Sequence, residues 1–172
     1  MLEPFQILKP EWENINLGIQ KAEHDYHSFV LSTISSNGPD SRTVILRAFD
    51  EDKPAIWFHS DRRSKKILHL KKNEKVSALF YDKSRKIQLR INGQAKINYQ
   101  NTKTKKSWKQ TVHMSRQCYL GNKAPGSYIP LPASGLTNEI DNLKYTLEES
   151  EIGYKNFCVI ETYIKSIEWL YL

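Results

Sequence analysis

Cysteine is scarce in this chain of 172 residues: there are two, Cys118 and Cys158, far apart and with no CxxC pair or histidine at metal-ligand spacing. That leaves no cysteine-held metal site to argue for, and no metal is expected. It is the pattern of reduced thiols in a cytoplasmic protein. Long apolar runs are missing too. None approaches the ~20 residues that span a bilayer, and Met1-Leu-Glu-Pro-Phe-Gln6 has neither the basic nor the apolar part of a secretory leader. There is no GxSxG, no P-loop, no GxGxxG and no HExxH. A Ser-His-Asp hydrolase and a Rossmann dinucleotide site are therefore not indicated, and no catalytic acid or base stands out. Internal repeats, low-complexity tracts and interdomain linkers are also absent, so a single domain over 1–172 is expected.

What is present is an ordinary globular composition, 39% hydrophobic and 26% charged, long enough for a sizeable core. The net charge of +7 needs a reason. It fits a basic solvated surface, a nucleic-acid partner bound by counterion release, or a site for a phosphorylated small molecule. The cations gather in Arg62-Arg63-Ser-Lys65-Lys66, Lys71-Lys72 and Lys103-Thr-Lys105-Lys106. Only the first group stands beside other candidate ligand residues. The lysines of 103–106 fall on a helical pattern, away from strand aromatics, which speaks against a nucleic-acid-binding barrel.

The periodicity predicts a helix over 10–26, opened by Pro10 and striped by Trp12, Ile15, Ile19 and Ala22. Ser28 to Ser35 alternates as a strand, Asn37-Gly38 signals a hairpin, and Arg42 to Phe49 and Ala55 to Ser60 follow as further strands. Ser64 to Asn73 reads as a short helix. Lys75 to Asp82 and Ile87 to Asn92, running on towards Ile97, read as strands. A lysine-rich helix around Trp108 is expected over 101–112, an irregular loop over 121–136, a polar helix over 138–150 and a last strand over 157–172. Closely spaced strands with attached helices predict a mainly β, α+β domain, a barrel or a sandwich.

Three places carry candidate chemistry. Strand parity puts Val44, Leu46 and Ala48 on one face and Thr43, Ile45, Arg47 and Phe49 on the other, with Arg42 on the Val44 side. One ligand meets both arginines only by lying along the strand or if a bulge intervenes; otherwise they are ordinary exposed cations. Ser64-Lys65-Lys66 sits at a helix start, where free N–H groups and the dipole favour an anion but cations are locally unfavourable. A solvated basic turn reads the same residues equally well. Gln88 shares a polar strand face with Arg90 and Asn92, opposite Ile87, Leu89 and Ile91. Its amide suits a ring edge that alternates donors and acceptors, although such faces are commonly just wet. His59 and Ser60 end the strand before the basic turn.

In this order, Arg42-Thr-Val-Ile-Leu-Arg47, Trp57-Phe-His-Ser-Asp61, Ser64-Lys65-Lys66, Ala78-Leu-Phe-Tyr81 and Gln88-Leu-Arg-Ile-Asn-Gly93 resemble the pyridoxamine 5'-phosphate oxidase-like, FMN-binding split-barrel family over roughly residues 20–97. The resemblance implies a six-stranded antiparallel split β-barrel with flanking helices, FMN as cofactor, and a homodimer with FMN at the interface. It implies that Arg42, Lys65 and Lys66 bind the FMN phosphate, and that Thr43, Val44, Ile45 and Leu46, with His59 and Ser60, line the ribityl chain and ring. Gln88 would meet the pyrimidine edge, and Arg47 would hold a substrate phosphate. The family's oxidases continue past an Ile-Glu-aromatic strand into Arg-x-His-x-Arg, whereas here Ile167-Glu168-Trp169 is followed by Leu170-Tyr171-Leu172. The expectation is an FMN-dependent oxidoreductase of unknown substrate, related to the oxidases. Authentic pyridoxamine/pyridoxine 5'-phosphate oxidase is the alternative, ahead of a nucleic-acid-binding barrel or a haem-binding relative with His59 or His113 as axial ligand.

Overall fold

The computed structural model describes residues 4–131 and 133–172. Met1 to Glu3, and Pro132 of the 121–136 loop, lie outside the described residues. Six strands, β1 (Ser28–Ser35), β2 (Gly38–Asp50), β3 (Ala55–Asp61), β4 (Lys75–Asp82), β5 (Ile87–Asn98) and β6 (Phe157–Tyr171), close into a barrel in the order β1-β2-β3-β6-β5-β4. The pairings of β1 with β2 and β4, of β2 with β3 and of β4 with β5 are antiparallel. This is the α+β split-barrel architecture that the resemblance implies.

Contacts divide the chain into two compact units, the first drawn from Met1–His59, His69–Lys96 and Ile160–Leu172, the second from Ser60–Leu68 and Ile97–Val159. In the first, period-two alternation sends Phe29 and Leu31 of β1, Val44 and Leu46 of β2, Ala78 and Phe80 of β4, and Leu89 and Ile91 of β5 inward, all buried. Phe29 stacks on Phe80 at 4.7 Å between ring centroids, and Tyr26 meets Phe80 edge-on at 5.4 Å. Gly93 of β5 is required by close approach: a Cβ there would collide with the Tyr163 carbonyl oxygen of β6.

Helix α1 spans Pro4–Gln20, six residues earlier at each end than the pattern predicted. Two prolines were available as a helix start, and Pro4 takes that place while Pro10 lies inside. At the far end the chain turns back: a 3₁₀ turn over Asp25–His27 packs its backbone on Gly18, and His27 Nδ1 lies 2.7 Å from the Gly18 carbonyl oxygen. Beneath α1 the buried carboxylate of Glu11 accepts from Arg85 (2.8 and 2.9 Å), from the Tyr26 hydroxyl (2.9 Å) and from Trp169 Nε1 (3.2 Å).

In the second unit, helix α2 (Lys65–Lys72) begins and α3 (Thr102–Gln110) follows, the latter opened by a capping box in which Asn101 and Thr104 exchange side-chain-to-backbone bonds. Trp108 is the centre of this unit, with Tyr119, Tyr154 and Phe157 within 5.8 Å of its ring. The short α4 (His113–Arg116), not predicted, buries Arg116. Its guanidinium lies over the Trp108 ring at 4.4 Å and donates to Glu151, Ser150, Thr111 and Trp108. The helix predicted over 138–150 is reduced to α5 (Asn138–Asp141), because Leu143 adopts φ +56° and breaks it.

Candidate functional site: a helix mouth and two opposite barrel walls

The second unit holds the basic turn. Lys66 Nζ donates to Ser60 Oγ and Ser64 Oγ, each at 3.1 Å, and the two hydroxyl oxygens are 3.3 Å apart. Both serines are buried, Lys66 is half-buried and Lys65 is exposed. The end of β3 thus supplies one hydroxyl, and the turn supplies the other. The first turn of α2 brings an ammonium group to them where its own N–H groups collect.

The neighbouring arginines are engaged elsewhere. Arg63 grips the buried Asp61 through Nε (3.0 Å) and Nη2 (2.6 Å) and donates to the Gly121 carbonyl (2.8 Å). Arg62 lies over the Tyr99 ring at 4.5 Å. Of the five-residue cluster, Lys66 is the cation turned to the hydroxyls. Cys158 donates to the Ser60 carbonyl; burial, then the Asp61 charge, pushes its thiol up to about 12, so it stays protonated at neutral pH.

The other candidates lie in the first unit. On β2, Val44 and Leu46 are buried, Ile45 is half-buried and Thr43 and Arg47 are exposed, as parity requires. A register shift between Leu46 and Ala48 leaves Arg47 as a bulged residue, which re-aims its side chain. His59 of β3 lies close enough to feel that charge: burial first, and Arg47 second, lower its pKa to about 3, so the imidazole is neutral.

Arg42 sits on the inward parity in the first half of β2, half-buried. Its guanidinium donates to Thr33 Oγ1 (2.8 Å) and the Leu31 carbonyl (3.3 Å) and pairs with Asp40 at 2.6 Å; His69 Nδ1 is 3.0 Å from the same Thr33 hydroxyl. Thr33, Asp40 and His69 were not singled out in the sequence. Only Asp40 carried a signal, two residues before Arg42 and hence on the same strand face.

Gln88 is half-buried on β5, directly across from Tyr81 of β4, and shares the outer face with the exposed Arg90 and Asn92. In the closed order β5 stands three strands from β2 in either direction. The Gln88 face and the Thr43–Ile45 face are therefore on opposite walls of one barrel.

Among these groups, the ammonium and paired hydroxyls at the α2 mouth fit a phosphate monoester, which needs positive charge and several donors. The Gln88 amide fits a donor–acceptor ring edge. Arg42 fits less well, since Asp40 already neutralises it.

A closed antiparallel six-stranded barrel with flanking helices defines a protein of the split-barrel class. The sequence pattern of the family described as pyridoxamine 5'-phosphate oxidase, FMN-binding domain, matches residues 9–99, more than half of the chain. The chain belongs to that family.

It is similar to pyridoxine/pyridoxamine 5'-phosphate oxidase 2 of Arabidopsis thaliana, at 28% identity over 94% of this chain and 83% of that one. It is also similar to the pyridoxine/pyridoxamine 5'-phosphate oxidase of Bradyrhizobium sp. (strain BTAi1), at 34% identity over 53% of this chain but 40% of that protein. Among solved structures, a pyridoxamine 5'-phosphate oxidase-related, FMN-binding protein of Nostoc punctiforme superposes with a TM-score of 0.74 at 18% identity, covering 100% of this chain and 87% of that one. PhzG from Burkholderia lata superposes with a TM-score of 0.68 at 16% identity, covering 97% and 79%. At these identities the superpositions speak for the fold.

Proposed function

We propose that this chain is an FMN-dependent oxidoreductase working as one FMN-binding module. FMN binding is the property of its family. The observation that carries the reading to this chain is Lys66, drawn by Ser60 and Ser64 to the mouth of α2. There it neutralises the phosphate, with Lys65 adding charge from the exposed side and Arg42 contributing once it exchanges Asp40 for the anion. Main chain at Thr43, Val44, Ile45 and Leu46, with His59 and Ser60, lines the ribityl chain and ring. FMN, when bound, supplies the redox chemistry; the chain binds and orients it and sets the charge around it. The neutral imidazole of His59 leaves Arg47 as the charged member of their pair, suited to an anionic substrate.

The reading includes a homodimer. Gln88 and the Thr43–Ile45 face lie on opposite walls and point outward in opposite directions, three strand spacings or about 14 Å apart around the barrel. One flavin lying on the β2 wall therefore meets the amide of a second copy's Gln88, and the site forms at the contact of two chains. A soluble, cytoplasmic setting follows from the same reading; no described helix is long and apolar enough to cross a membrane.

The test is the visible spectrum of the purified protein, followed by titration of the apoprotein with FMN. Bands in the blue and near ultraviolet, lost or weakened in Lys66→Met and Arg42→Ala, support the reading. A colourless protein that does not quench FMN fluorescence refutes it.

A second reading, authentic pyridoxamine/pyridoxine 5'-phosphate oxidase, is favoured by the near full-length similarity to the Arabidopsis enzyme and by the exposed, bulged Arg47 as a substrate-phosphate ligand. Formation of the aldehyde product from pyridoxamine 5'-phosphate with saturating FMN decides it. Absence of turnover there leaves the FMN reading with another substrate.

A further inference from the structure

A cleft of about 770 Å³ opens in the first unit at the end of the strands away from Gln88. Its walls come from β1, β4, β5, the start of β2, and Lys165 of β6. Gln88 and Asn92, the nearest lining residue of β5, are four residues apart, which at ~3.4 Å per residue puts the near edge of the cleft about 14 Å along the strand from Gln88. The volume is in the range that takes one organic molecule.

Its lining has a one-sided chemistry. Ile34 and Pro39 give it exposed apolar surface, and Lys75, Lys165, Ser77 and Asn92 line it beside them. None of these four makes a side-chain hydrogen bond or ion pair with another described residue. That contrasts with three of the four arginines of the same unit: Arg42 is paired with Asp40, Arg85 with Glu11 and Asp82, and Arg90 with Glu168. No aspartate or glutamate lines the cleft. The nearby Glu74 carboxylate already accepts from Gln94 Nε2 at 2.9 Å. Two cations with no internal counter-charge, two further polar side chains and an apolar patch are what an amphiphilic anion matches.

We infer that this cleft is a second ligand site, separate from the flavin, for an organic anion with an apolar body and a carboxylate, sulfonate or phosphate head directed at Lys75 and Lys165. The inference does not depend on FMN binding. The cleft contains none of the residues assigned to the cofactor.

The probe is anilinonaphthalene sulfonate, an apolar aromatic sulfonate whose fluorescence rises on burial, titrated into the full chain with and without FMN. Saturable binding of one probe per chain is expected, unchanged by FMN. The double variant Lys75→Gln/Lys165→Gln weakens it about tenfold or more, as loss of charge-assisted contacts requires. Ser77→Trp, which fills the cleft and leaves both lysines, abolishes it, while neutral phenylnaphthylamine is insensitive to the lysine changes. Circular dichroism melts of the variants match the wild type, since all three positions are at the surface or half-buried. Probe binding unchanged in both variants, displaced by stoichiometric FMN, or absent because a second copy covers the cleft in sedimentation experiments overturns the inference.

Discussion

His59 gives the sharpest prediction about pH. Its pKa falls from the ordinary 6.5 to about 3, through burial first and the Arg47 charge second. In the unfolded chain the imidazole takes a proton below about pH 6.5, while the folded chain refuses it until about pH 3. Over that window the unfolded state binds more protons, so stability falls as the pH drops. The slope is about 1.4 kcal/mol per pH unit from this one group, or about 2 kcal/mol between pH 6.5 and pH 5. For a chain of this size that is a loss of roughly 4–8 °C in Tm.

Carboxylates titrate in the same direction lower down, so the measurement is a difference. Urea unfolding of wild type and His59→Gln is followed from pH 7.5 to pH 5, and the gap between them is plotted. His59→Gln carries no proton in either state, so its stability loses this contribution to the slope. The variant gains on the wild type by about 2 kcal/mol as the pH falls. Parallel curves would refute the placement of His59 in a desolvated position beside a guanidinium.

Other consequences are independent of that one. Lys66→Met weakens FMN binding about ten- to a hundred-fold by fluorescence titration, whereas the exposed Lys65→Met changes it by a few-fold at most; equal effects would contradict the hydroxyl-held geometry. Glu11→Gln weakens the grip on Arg85 and disturbs the Tyr26 hydroxyl bond beneath α1, costing about 2–4 kcal/mol in denaturant unfolding; a change under 0.5 kcal/mol would place that network at the surface. Gly93→Ala drives a methyl group into the Tyr163 carbonyl oxygen and costs about 1–3 kcal/mol, read as an earlier urea midpoint; an unchanged midpoint would mean β5 and β6 stand further apart.

Much of the barrel was legible because its strands obey one rule. In β1 and β4 the predicted and observed bounds agree, since alternating burial leaves few choices of register. The hairpin signal was misplaced by one step. Ser35 pairs with Gly38, so Ser36 and Asn37 form the connection and Gly38, at φ +108°, begins β2. Helical segments were read less well where local propensity was silent. Nothing in the sequence foretells a left-handed leucine at 143 or a backbone laid on Gly18.

For the candidate site, parity correctly separated Arg42 from Arg47 and put Gln88 with Arg90 and Asn92. Which cations are already spoken for was not readable. Asp61 claims Arg63, Tyr99 underlies Arg62 and Asp40 claims Arg42, and the partners at 61 and 99 are tied to their arginines by the fold. The bulge at Arg47 is likewise a product of pairing β2 with β3, not of either strand alone.

The central claim is that Lys66 and its two serine hydroxyls receive the phosphate of FMN. It is tested most directly by titrating the apoprotein with FMN and with riboflavin, which lacks that phosphate, in wild type and Lys66→Met. The account predicts one FMN per chain, bound at least about a hundred-fold tighter than riboflavin, with most of that advantage gone in the variant. Equal affinity for the two flavins, or an advantage untouched by removing the Lys66 ammonium, would contradict it.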